Sequence, residues 1–300
     1  MGYLTSSPLK KGDTIGLITP SSPMMLGRLE AIIAYLEKRG FQVKQGKYLH
    51  DTERFLAGRD IDRASDIMRF FTDPEIKAIM ATGGGYGSQR ILPLLDYNVI
   101  RANPKMVIGF SDTTALQLGI LKKAGVVSCT GFIFPQTVQD VSEPLNDETL
   151  LACLTGESYQ IVGGKTAQSG IAEGPLVGGN LEALIALMGT PWQPDFKNSI
   201  LLIEGVGAEP YQIDAQLSQL ALAGVYKQVA GIVFGKFERC LAEYFPERDG
   251  TVNDVIQEWS SSCNAPCITD FPYGHFDKRR VLPIGKQVVL NAGETMLTIR

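Results

Sequence analysis

Cysteine and histidine are scarce in this sequence, which has five cysteines and two histidines among 300 residues. The N-terminus shows no positively charged segment followed by an apolar one, so we expect no signal peptide. An odd number of cysteines without such a peptide is typical of reduced thiols, and we predict a cytoplasmic protein. Because Cys263 and Cys267 lack a second cysteine or histidine pair, we expect no metal, and we also expect no cofactor.

Positive charge and long apolar runs are also lacking. The chain has 28 Lys and Arg against 32 Asp and Glu, which gives a net charge of −4, and it has no basic run. Nucleic acid is therefore not an expected partner. No apolar run reaches the length of a membrane span, so we expect no membrane as a partner either.

Short apolar strand patterns alternate with helical patterns in the first half of the chain. This alternation predicts a mostly parallel sheet with helices on both faces. Ligands of such sheets bind beyond the carboxyl ends of the strands. The predicted strands are residues 14–19, 41–43, 77–81, 106–110 and 126–129.

The length of 300 residues suits two domains, and the pattern weakens between the two halves, where Pro and Gly are frequent. We predict an N-terminal α/β domain at 1–140, a linker at 141–170 and a smaller, β-rich α/β domain at 171–300. Within the last of these, the glycine-rich stretch 174–180 is predicted as a loop, and residues 281–299 alternate as antiparallel strands do.

The stretch 109–112 (GFSD) joins a predicted strand to a helix that begins near Thr113. A sharp turn there would lift the Ser111 hydroxyl above the sheet edge, as in a nucleophile elbow, although Thr113 replaces the second glycine of G-x-S-x-G. The turn would also place Ser111 beside the free N–H groups of the helix start. The alternative is that Ser111 is only an N-cap, and this stretch leaves both interpretations open.

A serine nucleophile needs a base, and His275 is the better candidate of the two histidines. His50 lies in a polar stretch, whereas His275 follows a predicted strand and a flexible glycine. Glu204 closes an apolar strand and is placed to orient His275. The resulting order Ser111, Glu204, His275 is that of α/β-hydrolases.

Two further features surround the candidate nucleophile. We expect the Asp112 side chain to cap the helix, while its backbone N–H suits an oxyanion hole. The loop 83–87 (GGGYG) is a weak candidate for phosphate, because no Lys-Ser/Thr follows and its spacing is not G-x-G-x-x-G. Its backbone N–H groups serve equally well as a second oxyanion donor.

These motifs together resemble the serine LD-carboxypeptidases of the muramoyl-tetrapeptide type, a family that also contains the microcin C immunity peptidases. The resemblance runs nearly end to end. It rests on GDTIG at 12–16 with PSSP at 20–23, GGYGS at 84–88 with Arg90 and LLD at 94–96, GFSD at 109–112, GGNL at 178–181 with GTP at 189–191, IE at 203–204, and GH at 274–275 with LPIG at 282–285.

The resemblance implies a Ser-Glu-His triad formed by Ser111, Glu204 and His275. It also implies an oxyanion hole from the backbone N–H groups of Asp112 and Gly85. Members of the family have an α/β N-terminal domain and a smaller β-rich C-terminal domain, with the site between them. They are usually dimeric, so we expect a homodimer. We further expect the two domains to face each other across one cleft, with the linker region as a hinge.

The implied reaction is hydrolysis of the amide bond before a C-terminal D-amino acid, such as release of D-alanine from murein tetrapeptide during cell-wall recycling. Such a small peptide substrate carries a free carboxylate, for which Arg90 is the candidate donor, and Tyr86 is a second candidate substrate contact. The chain departs from the family pattern at Gly205, where many relatives have Asp, and at 129–132 (CTGF). Both departures bear on the choice of substrate.

Two alternatives stay open. The first is an immunity-type peptidase that cleaves a peptidyl- or aminoacyl-nucleotide toxin; a longer aromatic loop would favour it, and Trp192 is the only Trp expected near the site. The second is a non-enzymatic small-molecule binding protein, which predicts saturable binding without turnover. The presence of all three triad residue types argues against the second alternative.

Overall fold

The computed structural model describes residues 2–138 and 144–300 and contains two sheets. The first sheet has the strand order β12-β5-β4-β3-β1-β2, in which all but β12 are parallel. The predicted parallel sheet with flanking helices is therefore confirmed. Its elements are β1 (Thr14–Ile18), β2 (Gln42–Gln45), β3 (Ile76–Ala81), β4 (Met106–Gly109), β5 (Ser128–Thr130), β12 (Leu282–Ile284), α1 (Arg28–Lys38), α2 (Asp60–Thr72), α3 (Tyr97–Ala102) and α4 (Thr113–Ala124).

Strand β1 shows why helices cover both faces of this sheet. Ile15 and Leu17 pack into one core cluster, which includes Ile32 of α1, whereas Ile18 packs into the other, which includes Phe70 of α2. Successive side chains of a strand point to opposite faces, so an unbroken apolar strand requires two apolar layers. Both apolar layers are present. The helices cover the two faces of the sheet but not the end at which its parallel strands finish.

The second sheet has eight strands in the order β6-β14-β13-β8-β9-β10-β11-β7. The central strands β8 to β11 are parallel, and the outer strands are antiparallel to their neighbours. Its elements are β6 (Tyr159–Val162), β7 (Lys165–Gln168), β8 (Ile171–Asn180), β9 (Ile200–Val206), β10 (Gly231–Glu238), β11 (Cys267–Thr269), β13 (Gln287–Asn291), β14 (Met296–Ile299), α6 (Leu181–Ile185), α7 (Pro210–Leu222) and α8 (Val252–Ser261).

The structure differs from the sequence prediction at one strand and one helix, and it shows regular structure in the predicted linker. The stretch 174–180 is strand rather than loop, because it forms the second half of β8. Helix α3 was not predicted, and Asp96 caps it by accepting hydrogen bonds from the N–H groups of Asn98 and Val99. Where the structure describes it, the predicted linker 141–170 carries α5 (Pro144–Thr155) and the strands β6 and β7, which both belong to the second sheet.

Strand β12 crosses the predicted boundary between the domains. Leu282–Ile284 pairs antiparallel with β5 of the first sheet, with Pro283 opposite Cys129. The chain then returns to the second sheet in β13 and β14. Residues of the predicted C-terminal domain thus complete the sheet of the N-terminal one. In the described ranges no helix is long and apolar enough to cross a membrane.

Candidate active site

Ser111 occupies a sharp turn between β4 and α4. Its φ angle is 64°, a left-handed conformation that few residues other than glycine adopt. The turn is tight, since a Cβ built on Gly109 would lie 2.5 Å from Thr113 Oγ1. Strain of this kind costs of order ~1–3 kcal/mol and is typical of functional sites. The N-cap interpretation has no support, because the N-cap position is Asp112 and the Ser111 hydroxyl has no partner among the described residues.

The Asp112 side chain does not cap α4, contrary to our expectation. Its carboxylate instead accepts hydrogen bonds from the N–H groups of Gly87 (3.1 Å) and Ser88 (2.9 Å), and from the Ser21 hydroxyl (2.5 Å). The Ser88 hydroxyl in turn donates to the Asp112 carbonyl at 2.5 Å. Asp112 therefore fixes the glycine-rich loop against the nucleophile turn.

The glycine-rich loop lies beside Ser111, as expected from its place at the end of β3. A Cβ built on Gly84 would be 2.9 Å from Ser111 Cβ, and one built on Gly85 would be 2.3 Å from Ser22 Oγ. Side chains are excluded at both positions, and at Gly84 the backbone itself approaches Ser111. The N–H groups of Gly85 and Asp112 donate no hydrogen bond within the ranges that the structure describes.

Glu204 and His275 form a hydrogen-bonded pair at the carboxyl ends of the second sheet. His275 Nδ1 lies 2.7 Å from Glu204 Oε2, and the Glu204 side chain is fully buried. The other oxygen, Oε1, accepts a hydrogen bond from Asn180 Nδ2 at 2.9 Å. Asn180 is paired with Glu204 in the register of β8 and β9. This residue was not predicted as part of the site, because its stretch was interpreted as a loop.

Aromatic packing brings His275 to the nucleophile turn. The His275 ring lies 4.5 Å from the Phe110 ring, centroid to centroid, and Phe110 directly precedes Ser111. Tyr273 packs edge-on against the same ring, and its hydroxyl lies 2.9 Å from Thr130 Oγ1. Burial and the nearby Glu204 charge hold the pKa of Tyr273 well above its usual value, so its hydroxyl stays neutral.

The edges of the two sheets bring His275 next to the Ser111 turn, through Phe110, without a Ser111–His275 hydrogen bond. Among the described residues, neither the Ser111 hydroxyl nor His275 Nε2 has a partner, so both are open to a substrate. Hydrogen bonds of catalytic groups are often formed or tightened only when substrate binds. A hydrogen bond also connects the second sheet to the helix that follows Ser111: the Asn180 N–H of β8 donates to Thr114 Oγ1 of α4 at 3.1 Å.

The predicted substrate contacts lie in different surroundings. The Arg90 guanidinium is engaged by Asp60, with Nε 3.0 Å and Nη2 2.8 Å from Oδ2. Tyr86 is exposed on the glycine-rich loop, and its ring packs edge-on against Phe55. Trp192 is not at the site: it packs against Gly119 of α4, eight residues beyond Ser111, and a helix rises about 1.5 Å per residue.

These groups suit acyl transfer through a serine nucleophile. A hydroxyl at a strained turn is reactive when an oriented imidazole takes its proton, and free N–H groups can hold the oxyanion that forms. The buried Glu204 carboxylate fixes the imidazole so that Nε2 is the nitrogen left for that task. Chemistry of this type is that of hydrolases with a serine nucleophile.

Comparison with known proteins narrows the class to a family. Residues 15–131 match the model of the LD-carboxypeptidase N-terminal domain, and residues 173–290 match that of the LD-carboxypeptidase C-terminal domain. A probable murein peptide carboxypeptidase of Bacillus subtilis is 34% identical, over 97% of this chain and 92% of the relative. The chain belongs to the LD-carboxypeptidase family.

Immunity proteins are also among the relatives. The microcin C7 self-immunity protein MccF of Escherichia coli is 30% identical, over 99% of this chain and 95% of the relative. A solved structure of MccF in complex with glutamyl sulfamoyl guanosine has a TM-score of 0.88 at 28% identity, and the match covers 98% of this chain and 97% of that one. The two-domain fold predicted from the sequence is thereby confirmed.

Proposed function

We propose that the protein is a serine LD-carboxypeptidase that releases a C-terminal D-amino acid, with D-alanine of murein tetrapeptide as the substrate residue, in cytoplasmic cell-wall recycling. The observation that carries this proposal is the 2.7 Å contact between His275 Nδ1 and the buried Glu204 carboxylate. It leaves Nε2 without a partner among the described residues, on a ring that packs against Phe110, the neighbour of Ser111. Relatives named murein peptide carboxypeptidases support the choice of substrate.

In the proposed mechanism, Ser111 Oγ attacks the carbonyl carbon of the last peptide bond while His275 Nε2 takes its proton. The N–H groups of Asp112 and Gly85 stabilise the oxyanion of the tetrahedral intermediate. His275 then gives the proton to the amine of the departing amino acid. A water molecule, activated by His275, hydrolyses the acyl-Ser111 ester and restores the enzyme. We also propose that the active form is a homodimer.

A second candidate is an immunity-type peptidase acting on an aminoacyl- or peptidyl-nucleotide. It is favoured by the likeness to the microcin C7 self-immunity protein and by the exposed Phe55–Tyr86 ring pair, which offers an aromatic surface beside the glycine-rich loop. Nucleobases stack well on such surfaces.

One experiment separates the candidates. The purified protein is incubated with murein tetrapeptide ending in D-alanine, with the same peptide ending in L-alanine, and with a glutamyl sulfamoyl nucleotide, and the products are followed by mass spectrometry. Release of D-alanine alone supports the carboxypeptidase. Release of glutamate from the nucleotide alone supports the immunity-type peptidase, and binding without any release would favour a binding protein.

A further inference from the structure

Arg28, the first residue of α1, is a buried cation without an anionic partner in the part of the chain that the structure describes. Its side chain is 9% exposed, and Nη2 donates to the Phe134 carbonyl at 3.1 Å. Nε is buried without a partner, and Nη1 donates to no group in residues 2–138 and 144–300. Burial lowers the pKa of the guanidinium, and no carboxylate of the described residues opposes that shift. A buried charge without a counter-charge lowers the stability of the fold, unless a bound anion pairs with it.

The position of Arg28 is close to the nucleophile. Helix α1 follows β1, so its first residue lies at the carboxyl edge of the first sheet, where Ser111 also lies. Nη1 is 3.5 Å from the point that a Cβ on Gly83 would occupy, and the next residue, Gly84, contacts Ser111. The absence of a side chain at Gly83 leaves room for the guanidinium beside the reacting centre.

Two other arginines near the cleft already have carboxylates beside them. Arg90 is held by Asp60. Arg279 is partly buried, and the charges of Asp277 and Glu204 oppose the lowering of its pKa by burial. Of these three guanidinium groups, Arg28 is therefore the one whose charge is unmatched within the described residues.

We propose that Arg28 binds the terminal α-carboxylate of the peptide substrate. This assignment rests on the proposed function, since only an exopeptidase needs to recognise the end of the chain. A carboxylate is the ligand that best satisfies a desolvated guanidinium, through short, charge-assisted hydrogen bonds. The start of α1 adds to the attraction: its N-cap is Gly27, which supplies no side-chain cap, and a helix N-terminus favours negative charge.

The test compares a tetrapeptide that ends in free D-alanine with the same peptide ending in D-alanine amide. The wild type should prefer the acid, and Arg28→Gln should lower kcat/KM for the acid about a hundredfold to a thousandfold while leaving the amide within about threefold. Arg28→Lys, which keeps the charge but loses the planar fork, should retain part of the preference. The acid-to-amide ratio is measured on one preparation, so a fraction of unfolded protein cancels from it.

Arg101→Gln is the matched control, because Arg101 Nη1 also donates to a single backbone carbonyl, that of Ala124, at 3.1 Å. It should change neither rate. Equal loss on the acid and the amide in Arg28→Gln, or an unchanged preference, would overturn the assignment and leave the carboxypeptidase activity standing. A wild-type protein that cleaves neither peptide would overturn the proposed function, and the role of Arg28 with it.

Discussion

At the scale of single residues, the site depends on how the buried charge of Glu204 is satisfied. One carboxylate oxygen meets His275 and the other meets Asn180, so neither is left without a partner. Burial of an unpaired carboxylate would cost several kcal/mol and would favour its protonation. The two contacts therefore hold the Glu204 carboxylate in one orientation, as its proposed role of orienting His275 requires.

Replacement of the nucleophile or the base tests the proposed chemistry directly. Ser111→Ala and His275→Ala should each lower kcat by roughly three to six orders of magnitude, because the hydroxyl and the imidazole act as one unit. For the same reason the double variant should be little worse than either single one. Steady-state kinetics with murein tetrapeptide give the rates, and thermal unfolding confirms that the variants are folded. Additive losses in the double variant would contradict a shared mechanism.

Asn180 is predicted to act on the rate through Glu204. Asn180→Ala leaves Glu204 Oε1 buried and unpaired, which should cost about 1–3 kcal/mol of unfolding free energy and lower kcat about tenfold to a hundredfold. It also removes the cap of α6, where Asn180 Oδ1 accepts from the Ala183 N–H. Asn180→Asp retains that cap but places a second carboxylate against Glu204, and its kcat should fall at least as far.

The control for these variants is Asn98→Ala, which changes an exposed asparagine of α3 whose side chain makes no hydrogen bond among the described residues, and it should leave kcat intact. If Asn180→Asp kept the wild-type rate, the contact with Glu204 would have no role in catalysis and Asn180 would serve only as the cap of α6.

The sequence was informative about those residues whose role follows from local position. Ser111, Glu204 and His275 all stand where a strand ends, and the ends of parallel strands meet at one edge. The role of Arg28 and the contacts of the Asp112 side chain could not be assigned in the same way. Their roles depend on partners far along the chain, such as Phe134 for Arg28 and Gly87 for Asp112, and an arginine at a helix start looks like a solvated one.

At the scale of elements, β8 shows why the glycine-rich stretch 174–180 was misinterpreted. Glycine is normally unfavourable in a strand, and it was read as a sign of a loop. Here Gly178 and Gly179 have φ angles of 130° and 141°, and the neighbouring strand and α4 leave no room for a Cβ. The close approach of β9 and α4 at these two residues is what brings Asn180 to Glu204 and to the nucleophile helix.

Gly178→Ala should therefore destabilise the protein by about 2–4 kcal/mol, since its Cβ would be 2.0 Å from the Leu202 carbonyl at a φ that alanine rarely adopts. Displacement of β8 should also lower kcat, because Asn180 lies two residues further on. Urea unfolding and tetrapeptide kinetics measure the two effects.

The matched control is Gly189→Ala, at a glycine with a φ of 75° and no atom within 4 Å of its added Cβ. Only the left-handed backbone should then be penalised, by about 1–2 kcal/mol. Equal losses in the two variants would show that the close approach of β8 to β9 does not contribute.

At the scale of the whole molecule, the two sheets are joined by more than the passage that was predicted as a linker. Strand β12 lies in the first sheet, the Tyr273 hydroxyl meets Thr130, and the Asn180 N–H meets Thr114. No local pattern in the sequence indicates these links, since each joins residues far apart in the chain. The type of the first sheet and most helix positions were predictable from periodicity, whereas α3 and the return of the chain to the first sheet were not.

The reactivity of the cysteine thiols shows whether the protein is folded. All five cysteines are free and buried, and burial raises the pKa of Cys129 and Cys240, so the reactive thiolate is scarce at neutral pH. A hydrogen bond with Cys267 lowers the pKa of Cys263, which should therefore react first. A thiol reagent should label the native protein slowly and leave its peptidase activity unchanged. In denaturant the same reagent should label all five cysteines.

Fast native labelling of Cys129 or Cys240 that abolished turnover without unfolding would instead support a cysteine nucleophile. Mass spectrometry of the labelled peptides identifies the sites, and circular dichroism of the same sample shows whether the fold is retained.

The place of β12 has a consequence for how the protein is made. Leu282–Ile284 leaves the ribosome long after β5, yet it supplies the edge strand beside β5. Until β12 is made, the nascent chain therefore carries an unpaired strand edge with free N–H and C=O groups. The first sheet cannot be completed before residue 284 has emerged, and a chain that stops before residue 282 exposes a surface open to aggregation.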